Sequence, residues 1–292
     1  MATYYFVRTL AWISQHMPVG IGYWVANRVG DCVYWTWRRG RESAVDNMRH
    51  VLGPRSSEKE ARHIARRSFR NYHKDLLDFL RLPRLDPSVL DRQVHVQGWE
   101  YLEQALAGGK GALLIGSHFG NWDLAGLVLA SRGYAVNAIA DSFRSRRLNE
   151  WVMNTRRQRG VNVIPPGLAL RRIYQALRRN EVVGIILDRP AGNDGVPVRF
   201  FGELAYWPTG PATIAFRTGA PVLVGYLLRQ PDGRYSGNLQ PVPGLGLDDR
   251  DGTDITRATQ AIVHAIEEHI RHCPEQWYMF RRMWPQSMTN DP

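Results

Sequence analysis

The stretch GALLIGSHFGNWDLAG, residues 111–126, decides how the rest of the chain is read. Six small or apolar residues lead into Ser117 and His118, the pattern of a strand covered on both faces. Phe119-Gly120 then turns the chain, and Asn121 is suited to cap a helix over NWDLAGLVLA. That places Asp123 in the first helical turn, where the helix dipole favours a carboxylate. Open α/β sheets carry their sites at the carboxyl ends of strands, which is where His118 falls. Strand, turn and cap are expected to bring Asp123 back toward the imidazole. An aspartate accepting a hydrogen bond from one ring nitrogen fixes the tautomer and leaves the other nitrogen as a base.

The spacing alone proves little. Nine histidines and 27 acids in 292 residues give three His-x4-acid pairs, His73/Asp78, His95/Glu100 and His118/Asp123. His73 and Asp78 lie within one expected helix, where five residues turn the direction by about 140° and the side chains diverge. His95 stands in a polar approach to a helix, with no buried strand to deliver it. Only His118 has the supporting frame.

Outward from this stretch, YAVNAIA (residues 134–140), VVGIILD (182–188) and PVLVGYLL (221–228) also read as buried strands, with helical runs between them. The alternation predicts an α/β fold: a mostly parallel or mixed central sheet flanked by helices. Residues 56–82 read as a helix, capped by Ser56 or Ser57 and ended by Pro83 and Pro87. With no internal repeat, low-complexity tract or flexible linker, the expected division is an N-terminal membrane-associating helical segment, 1–40, and an α/β domain, 41–292.

Thr9 to Asn27 carries no formal charge, and its length approaches the roughly 20 residues needed to span hydrocarbon. Gln15, His16, Pro18 and the glycines interrupt it, while Trp12, Tyr23 and Trp24 suit the lipid–water interface. The reading is a helical anchor lying on the membrane, without the pattern of a secretory signal. A buried helical hairpin turning at Pro18-Val19-Gly20 fits the same residues.

A hydrophobic content of 44% supports a substantial core. The two cysteines, Cys32 and Cys273, make no disulfide framework or metal spacing and read as buried small hydrophobes of an intracellular chain. Net charge +11 calls for an anionic partner: nucleic acid, a membrane surface or an acidic substrate. Between Arg144 and Arg179 stand ten arginines against one acid, Glu150, a field suited to phosphate. No Gly-x-Ser-x-Gly elbow or His-Glu-x-x-His motif occurs, so neither a serine nucleophile nor a metal centre is expected. His269 and His272 share a helix without forming a site.

The sequence resembles the bacterial lysophospholipid-acyltransferase-like family, in the branch of lipid A lauroyl and myristoyl acyltransferases and phosphatidylinositol mannoside acyltransferase. HFGNWD carries the signature, and RESAVDNMRHVLG, VQGWEYLEQALAGGKGALLIGSH, FFGELAYWPTGPATIAFRTGAPVLVGYLLR and CPEQWYMFRRMW follow the family in order, spanning residues 40 to 284. The resemblance implies transfer of a fatty acyl chain from acyl-CoA or an acyl carrier protein thioester to a hydroxyl of a membrane glycolipid or lysolipid. It places the enzyme on the cytoplasmic face of the inner membrane. His118 would be the general base and Asp123 its orienting acid, with Glu203 a candidate second acid. Aspartate at position 123, where the lipid A branch commonly has glutamate, leans toward the mannoside neighbours. Arg157 lies in NTRRQRG, a match to a family stretch with a functional arginine; Asn121, Arg144, Asp188 and Arg199 are the other expected substrate contacts. Thr209-Gly210 opens a helix suited to an oxyanion or phosphate. No permanently bound cofactor, metal or nucleic acid is expected. A basic nucleic-acid-binding protein and a catalytically inactive lipid-binding homologue are the competing readings.

Overall fold

The computed structural model describes residues 1–140, 142–165, 169–189, 195–245 and 253–284. The four apolar runs become β2 (Ala112–Gly116), β3 (Val136–Ile139), β5 (Val182–Ile186) and β8 (Val222–Arg229). They form the middle of a seven-stranded sheet, joined by β4 (Val161–Ile164) at one edge and by β9 (Tyr235–Pro241) and β1 (Val94–Gln97) at the other. The order is β1-β9-β8-β2-β5-β3-β4. From β8 to β4 the strands are parallel, whereas β9 returns antiparallel to β8 and β1 runs parallel to β9. The expected fold class is therefore the observed one. A separate antiparallel ribbon, β6 (Val196–Phe200) with β7 (Glu203–Trp207), packs on α11 (Thr253–His272).

The two sheet faces differ. On one, Leu113, Ile115, Val183, Ile185, Val222 and Val224 enter a close-packed core with α9 (Ala169–Arg178), α10 (Gly210–Thr218) and α11. The alternate residues of the same strands include Gly116, Gly184 and Gly225, so the opposite face carries few side chains at its centre. Helix α7 (Trp122–Ser131) covers that hollow face, and α8 (Arg146–Gln158) lies beside β4.

The first 81 residues form α1 (Ala2–His16), α2 (Val19–Thr36), α3 (Arg38–Leu52) and α4 (Glu58–Arg81), and α5 (Pro87–Gln93) and α6 (Trp99–Ala107) flank β1. Ser57 caps α4 through the Glu60 amide at 3.2 Å, as its sequence predicts. Helix α2 lies against α4 at Gly30, where a Cβ would come within 2.7 Å of the Arg70 Cα. The buried Asp31 next to it receives Arg66 at 2.7 Å and the Arg70 fork at 2.6 and 2.7 Å. Those hydrogen bonds hold its carboxyl well below the usual range.

The chain does turn at Pro18, but α1 and α2 are not buried all round. Phe6, Trp12, Ile13, Ile21, Trp24 and Trp35 are exposed. No helix among the described residues is long and apolar enough to cross a membrane. Cys32, expected inside, is exposed because it falls on the outer side of α2; Cys273 is half-buried, and burial pushes its thiol up to about 11.

His269 on α11 is buried, with its ring centroid 4.5 Å from that of Tyr226. The Gln240 amide nitrogen donates to its Nε2 at 3.0 Å, which requires that nitrogen unprotonated. Burial, then the neighbouring His272, lowers its pKa from 6.5 to about 4. A histidine depressed in the folded state stabilises fully above its unfolded pKa and loses that contribution as pH falls toward the folded value. Unfolding free energy should thus drop by about 2 kcal/mol from pH 7 to pH 5 on account of this residue. Urea titrations of wild type and His269→Gln check it: the variant should show a correspondingly flatter pH dependence, and an unchanged slope would exclude His269 as the cause.

Candidate active site

His118 lies two residues beyond β2, and the strand beside β2 supplies its partner. After β5 ends, the Leu187 amide still donates to the Gly116 carbonyl at 2.9 Å, which carries Asp188 alongside the imidazole. His118 Nδ1 donates to Asp188 Oδ1 at 2.6 Å. Asp188 Oδ2 accepts from the His118 backbone amide and from the Trp277 indole, both at 2.9 Å. The aspartate has no solvent exposure, and these three donors satisfy it. A carboxylate is an acceptor only, so the proton belongs on Nδ1 and Nε2 is left as the basic nitrogen.

The turn after the histidine is pinned by three hydrogen bonds, two to the C-terminal segment and one to β8. Tyr278 N donates to the His118 carbonyl at 2.7 Å, Gly120 N to Gln276 O at 2.9 Å, and Asn121 N to Leu227 O at 2.8 Å. Gly120 has φ +67, and a Cβ there would run into the Leu227 carbonyl oxygen, so glycine is required. Asn121 caps α7 by accepting from the Leu124 amide at 3.0 Å, as expected.

Beneath the turn lies a buried polar cluster. Arg229 pairs with Asp75 and Asp78 and donates to Tyr23 Oη at 2.6 Å. Tyr235 donates to Asp78, and Tyr278 to Asp75 at 2.6 Å. Desolvation opposes the arginine's charge, but Asp78, Tyr235 and Asp75 outweigh it and raise its pKa. The cluster ties α2, α4, β8, β9 and the C-terminal segment together under the histidine.

Several expected contacts fall elsewhere. Asp123 stands in the first turn of α7, yet it does not hold His118: Arg156 Nε and Nη2 donate to its two oxygens at 2.7 and 3.2 Å. The helix carries its carboxylate toward α8, whereas the β5 neighbour reaches the imidazole. Glu203, on the exposed edge of the β6–β7 ribbon, accepts from His50 Nδ1 at 2.9 Å, and so is not coupled to His118. Asn121 serves the helix cap, its amide nitrogen donating to Tyr235 at 3.3 Å. Arg144 is exposed; Arg157 donates to Asn154 at 2.8 Å on the outer side of α8; Arg199 donates to Gly202 O at 3.2 Å on the ribbon surface. None of these three, nor Thr209 or Gly210, lines the cavity that holds His118. Much of the arginine field is likewise exposed, with Arg146 paired to Glu150 at 2.8 Å and Arg179 to Glu181 at 2.6 Å. No cluster that could hold a metal occurs among the described residues.

That cavity has a volume of about 980 Å³, at the upper end of the roughly 300–1,000 Å³ usual for small-molecule sites. It runs between the hollow sheet face and α7. Gly116, Gly184 and Gly225 stand on its sheet side, Trp122, Ala125 and Leu129 on its helix side, and Val7, Leu10 and Phe79 at the N-terminal helices. Charged groups line the same space as the histidine: Asp123, Arg156, Arg189 and Arg281. No motif in the sequence points to Arg189, whereas Trp277, Tyr278 and Arg281 lie in the family-like stretch CPEQWYMFRRMW. A long apolar pocket with one oriented imidazole in its wall suits base-assisted chemistry on an amphipathic substrate.

Residues 1–286 match the family described as bacterial lipid A biosynthesis acyltransferase, and the chain belongs to that family. It is 31% identical over 258 residues to phosphatidylinositol mannoside acyltransferase of Mycobacterium tuberculosis H37Rv, covering 86% of this chain and 79% of the relative. The protein of the same name from Mycolicibacterium smegmatis is 28% identical over 232 residues, 78% of this chain and 74% of the relative. The lipid A biosynthesis palmitoleoyltransferase of Escherichia coli K12 is 24% identical over 276 residues, 93% and 87% of the two chains. The protein is thus an acyltransferase of a glycolipid-acylating family.

The two aspartates should separate in kinetics. Asp188→Asn should lower kcat by about 10³-fold or more with KM little changed, as expected when a base loses the carboxylate that sets its tautomer. Asp123→Asn should instead lower the melting temperature and raise KM, because it loosens α7 from α8. Steady-state acyl transfer and thermal melts of both variants give the answer; the opposite pattern would return the orienting role to Asp123.

Proposed function

We propose that the protein moves a fatty acyl chain from a thioester, on coenzyme A or acyl carrier protein, to a hydroxyl of a membrane glycolipid or lysolipid. The observation that carries this reading is His118, held through Nδ1 by buried Asp188 and set in the wall of an apolar cavity of about 980 Å³. Nε2 takes the proton of the acceptor hydroxyl as its oxygen attacks the thioester carbonyl. The new C–O bond forms, the C–S bond breaks, and the departing thiolate regains a proton from the imidazolium. Asp188 stabilises that imidazolium and is the orienting acid. Asp123, clamped to Arg156, positions the cavity wall.

The mycobacterial relatives, by name, act on phosphatidylinositol mannoside and are more similar in identity than the lipid A relative, at 31% and 28% against 24%. A phosphate-bearing glycolipid of mannoside type is accordingly the acceptor class we favour. Residues 1–40 act as the membrane-associating segment on the cytoplasmic face, supported by the exposed Phe6, Trp12, Ile13, Ile21 and Trp24. Val7 and Leu10 line the cavity, so an acyl chain can pass from the bilayer side into the hollow.

Mass spectrometry of products from palmitoyl-coenzyme A and a membrane lipid extract tests the reaction. Wild type should form an acylated lipid, with an acyl carrier protein thioester as the second donor tried, and folded His118→Ala should lose about 10²–10⁴-fold in rate. Full turnover by His118→Ala would sink the assignment.

Chain length gives a second test. A Cβ at Gly184 would meet only the Asn137 carbonyl, 3.8 Å away, so the site accepts a side chain and the cavity would shrink with it. Gly184→Leu should cut use of the longest acyl donors by about tenfold or more while sparing short ones. A uniform loss across chain lengths would place the acyl chain elsewhere.

A further inference from the structure

The two oxygens of Asp188 are bound differently. Oδ1 receives the imidazole of His118 at 2.6 Å, while Oδ2 receives the His118 amide and the Trp277 indole, both at 2.9 Å. An aspartate carboxyl turns about a broad two-fold torsion, so a single bond to Oδ1 would leave its plane free to rotate. The amide on Oδ2 belongs to the same residue as the base, and it joins Asp188 to His118 as a pair. Trp277 is the donor from a third stretch of chain, and it ties that pair to the C-terminal segment.

The indole is itself held in place. Trp277 is wholly buried, and its ring meets that of Phe200 edge to face with 5.9 Å between centroids. Its backbone bridges Phe119 in antiparallel fashion, between the Gly120 N to Gln276 O bond at 2.9 Å and the Tyr278 N to His118 O bond at 2.7 Å. Gln276 grips the end of β8 as well: its amide nitrogen donates to the Arg229 carbonyl at 2.8 Å, and its Oε1 accepts from the Arg229 amide at 3.0 Å. Burial in this fold does not by itself provide an indole with a partner, since the buried indole nitrogens of Trp99 and Trp207 make no hydrogen bond among the described residues. Trp277 directs its N–H at the acid that binds the imidazole.

We infer that Trp277 is a positioning residue, whose indole N–H holds Asp188 in the orientation that keeps the proton on His118 Nδ1 and leaves Nε2 as the base. This rests on the acyltransferase reading, in which Nε2 takes the proton of the acceptor hydroxyl, and adds a requirement placed on the C-terminal segment. Trp277 does not line the cavity, so its effect on the reaction passes through Asp188 and not through contact with substrate. A supporting donor of this kind fixes the geometry of the group that touches the base.

The test separates the N–H from the bulk of the ring. Trp277→Phe removes the donor and part of the ring, whereas replacement of Trp277 by benzothienylalanine, with sulfur in place of the indole nitrogen, removes the donor and keeps the shape. Proton NMR of the full-length protein in neutral detergent, with nitrogen-labelled histidine, reads the Nδ1 proton of His118, identified by its absence from His118→Ala. In wild type that resonance should lie far downfield, as a proton shared with a carboxylate does. Both variants, shown to be folded by their thermal melts, should move it upfield or broaden it into exchange with water. A resonance left unchanged by benzothienylalanine would overturn the proposal, because the bulk of the ring would then suffice, and so would the lack of a downfield signal in wild type. If Trp277→Phe does not fold, the isosteric variant decides alone.

Kinetics gives the second arm. Both variants should lower kcat by about tenfold or more with KM little changed. In an Asp188→Asn background the same substitutions should add less than about twofold, because the carboxylate through which they act has lost its charge. Losses that multiply across the two positions would show that Trp277 acts by another route and would overturn the proposal. Absence of transfer by wild type with every thioester would defeat the acyltransferase reading, while the Nδ1 resonance would still decide whether Trp277 holds the His118–Asp188 pair.

Discussion

The site depends on one buried carboxylate. Asp188 is wholly inaccessible to solvent and accepts hydrogen bonds from the His118 imidazole, the His118 amide and the Trp277 indole. Hydrogen bonds to a charged group are each worth about 1.5–3 kcal/mol, and a buried charge stripped of its donors costs more than any one of them returns. The three partners come from the end of β2 and from the C-terminal segment, while Asp188 itself ends β5. The same carboxylate thus fixes the imidazole tautomer and closes the chain's last stretch over the sheet. Its position follows from strand order: β5 pairs with β2 in register from Ala112↔Val182 to Gly116↔Ile186, so residues just past both strands must meet.

The hollow beside that site has an equally simple origin. Side chains alternate along a strand, and here one set is Leu, Ile and Val while the other includes glycine on three adjacent strands, β5, β2 and β8. The first set builds the close-packed core under α9, α10 and α11; the second leaves α7 standing over open space. A cavity of this size survives only if its walls cannot collapse. Asp123 and Arg156 brace α7 against α8, and the Arg229 cluster with Asp75 and Asp78 braces α4 against β8. Removing one partner of such a buried cluster leaves an unpaired charge, which typically costs about 3–5 kcal/mol, so the polar network keeps the apolar chamber open.

These two features explain what was legible in the sequence. Four strands, β2, β3, β5 and β8, were readable because their burial writes apolar runs, and α4 and α7 because Ser57 and Asn121 announce their starts. Strand β9, YSGNLQP, alternates buried and half-buried residues with a polar composition, and the β6–β7 ribbon is interrupted by Pro197; neither carries an apolar run. The strand end draws attention to His118 in the sequence. Its hydrogen-bond partner is not legible there, because His118 and Asp188 are 70 residues apart and are brought together by strand pairing, whereas Asp123 is near in sequence but carried away by its helix. The arginine field divides in three dimensions: several of its members stand on solvated helix faces, Arg156 lines the cavity, and the other lining arginines, Arg189 and Arg281, come from two separate segments.

The high positive charge and the exposed aromatic residues, which a linear reading could only set side by side, meet at one place in the fold. Helix α1 packs beside α8, and Arg147 donates to the Tyr5 hydroxyl at 3.3 Å across that contact. Exposed apolar residues of α1 therefore lie next to exposed Arg147 of α8, the pairing of hydrophobic and cationic surface that favours an anionic lipid interface. Val7 and the exposed Leu10 of α1 line the cavity. The cavity lining is apolar at this helix and at the three glycines, and carries charge at Asp123, Arg156, Arg189 and Arg281. The N-terminal helices thus contribute both to the exposed apolar surface and to the wall of the cavity, which is why their apolar residues serve two surroundings at once.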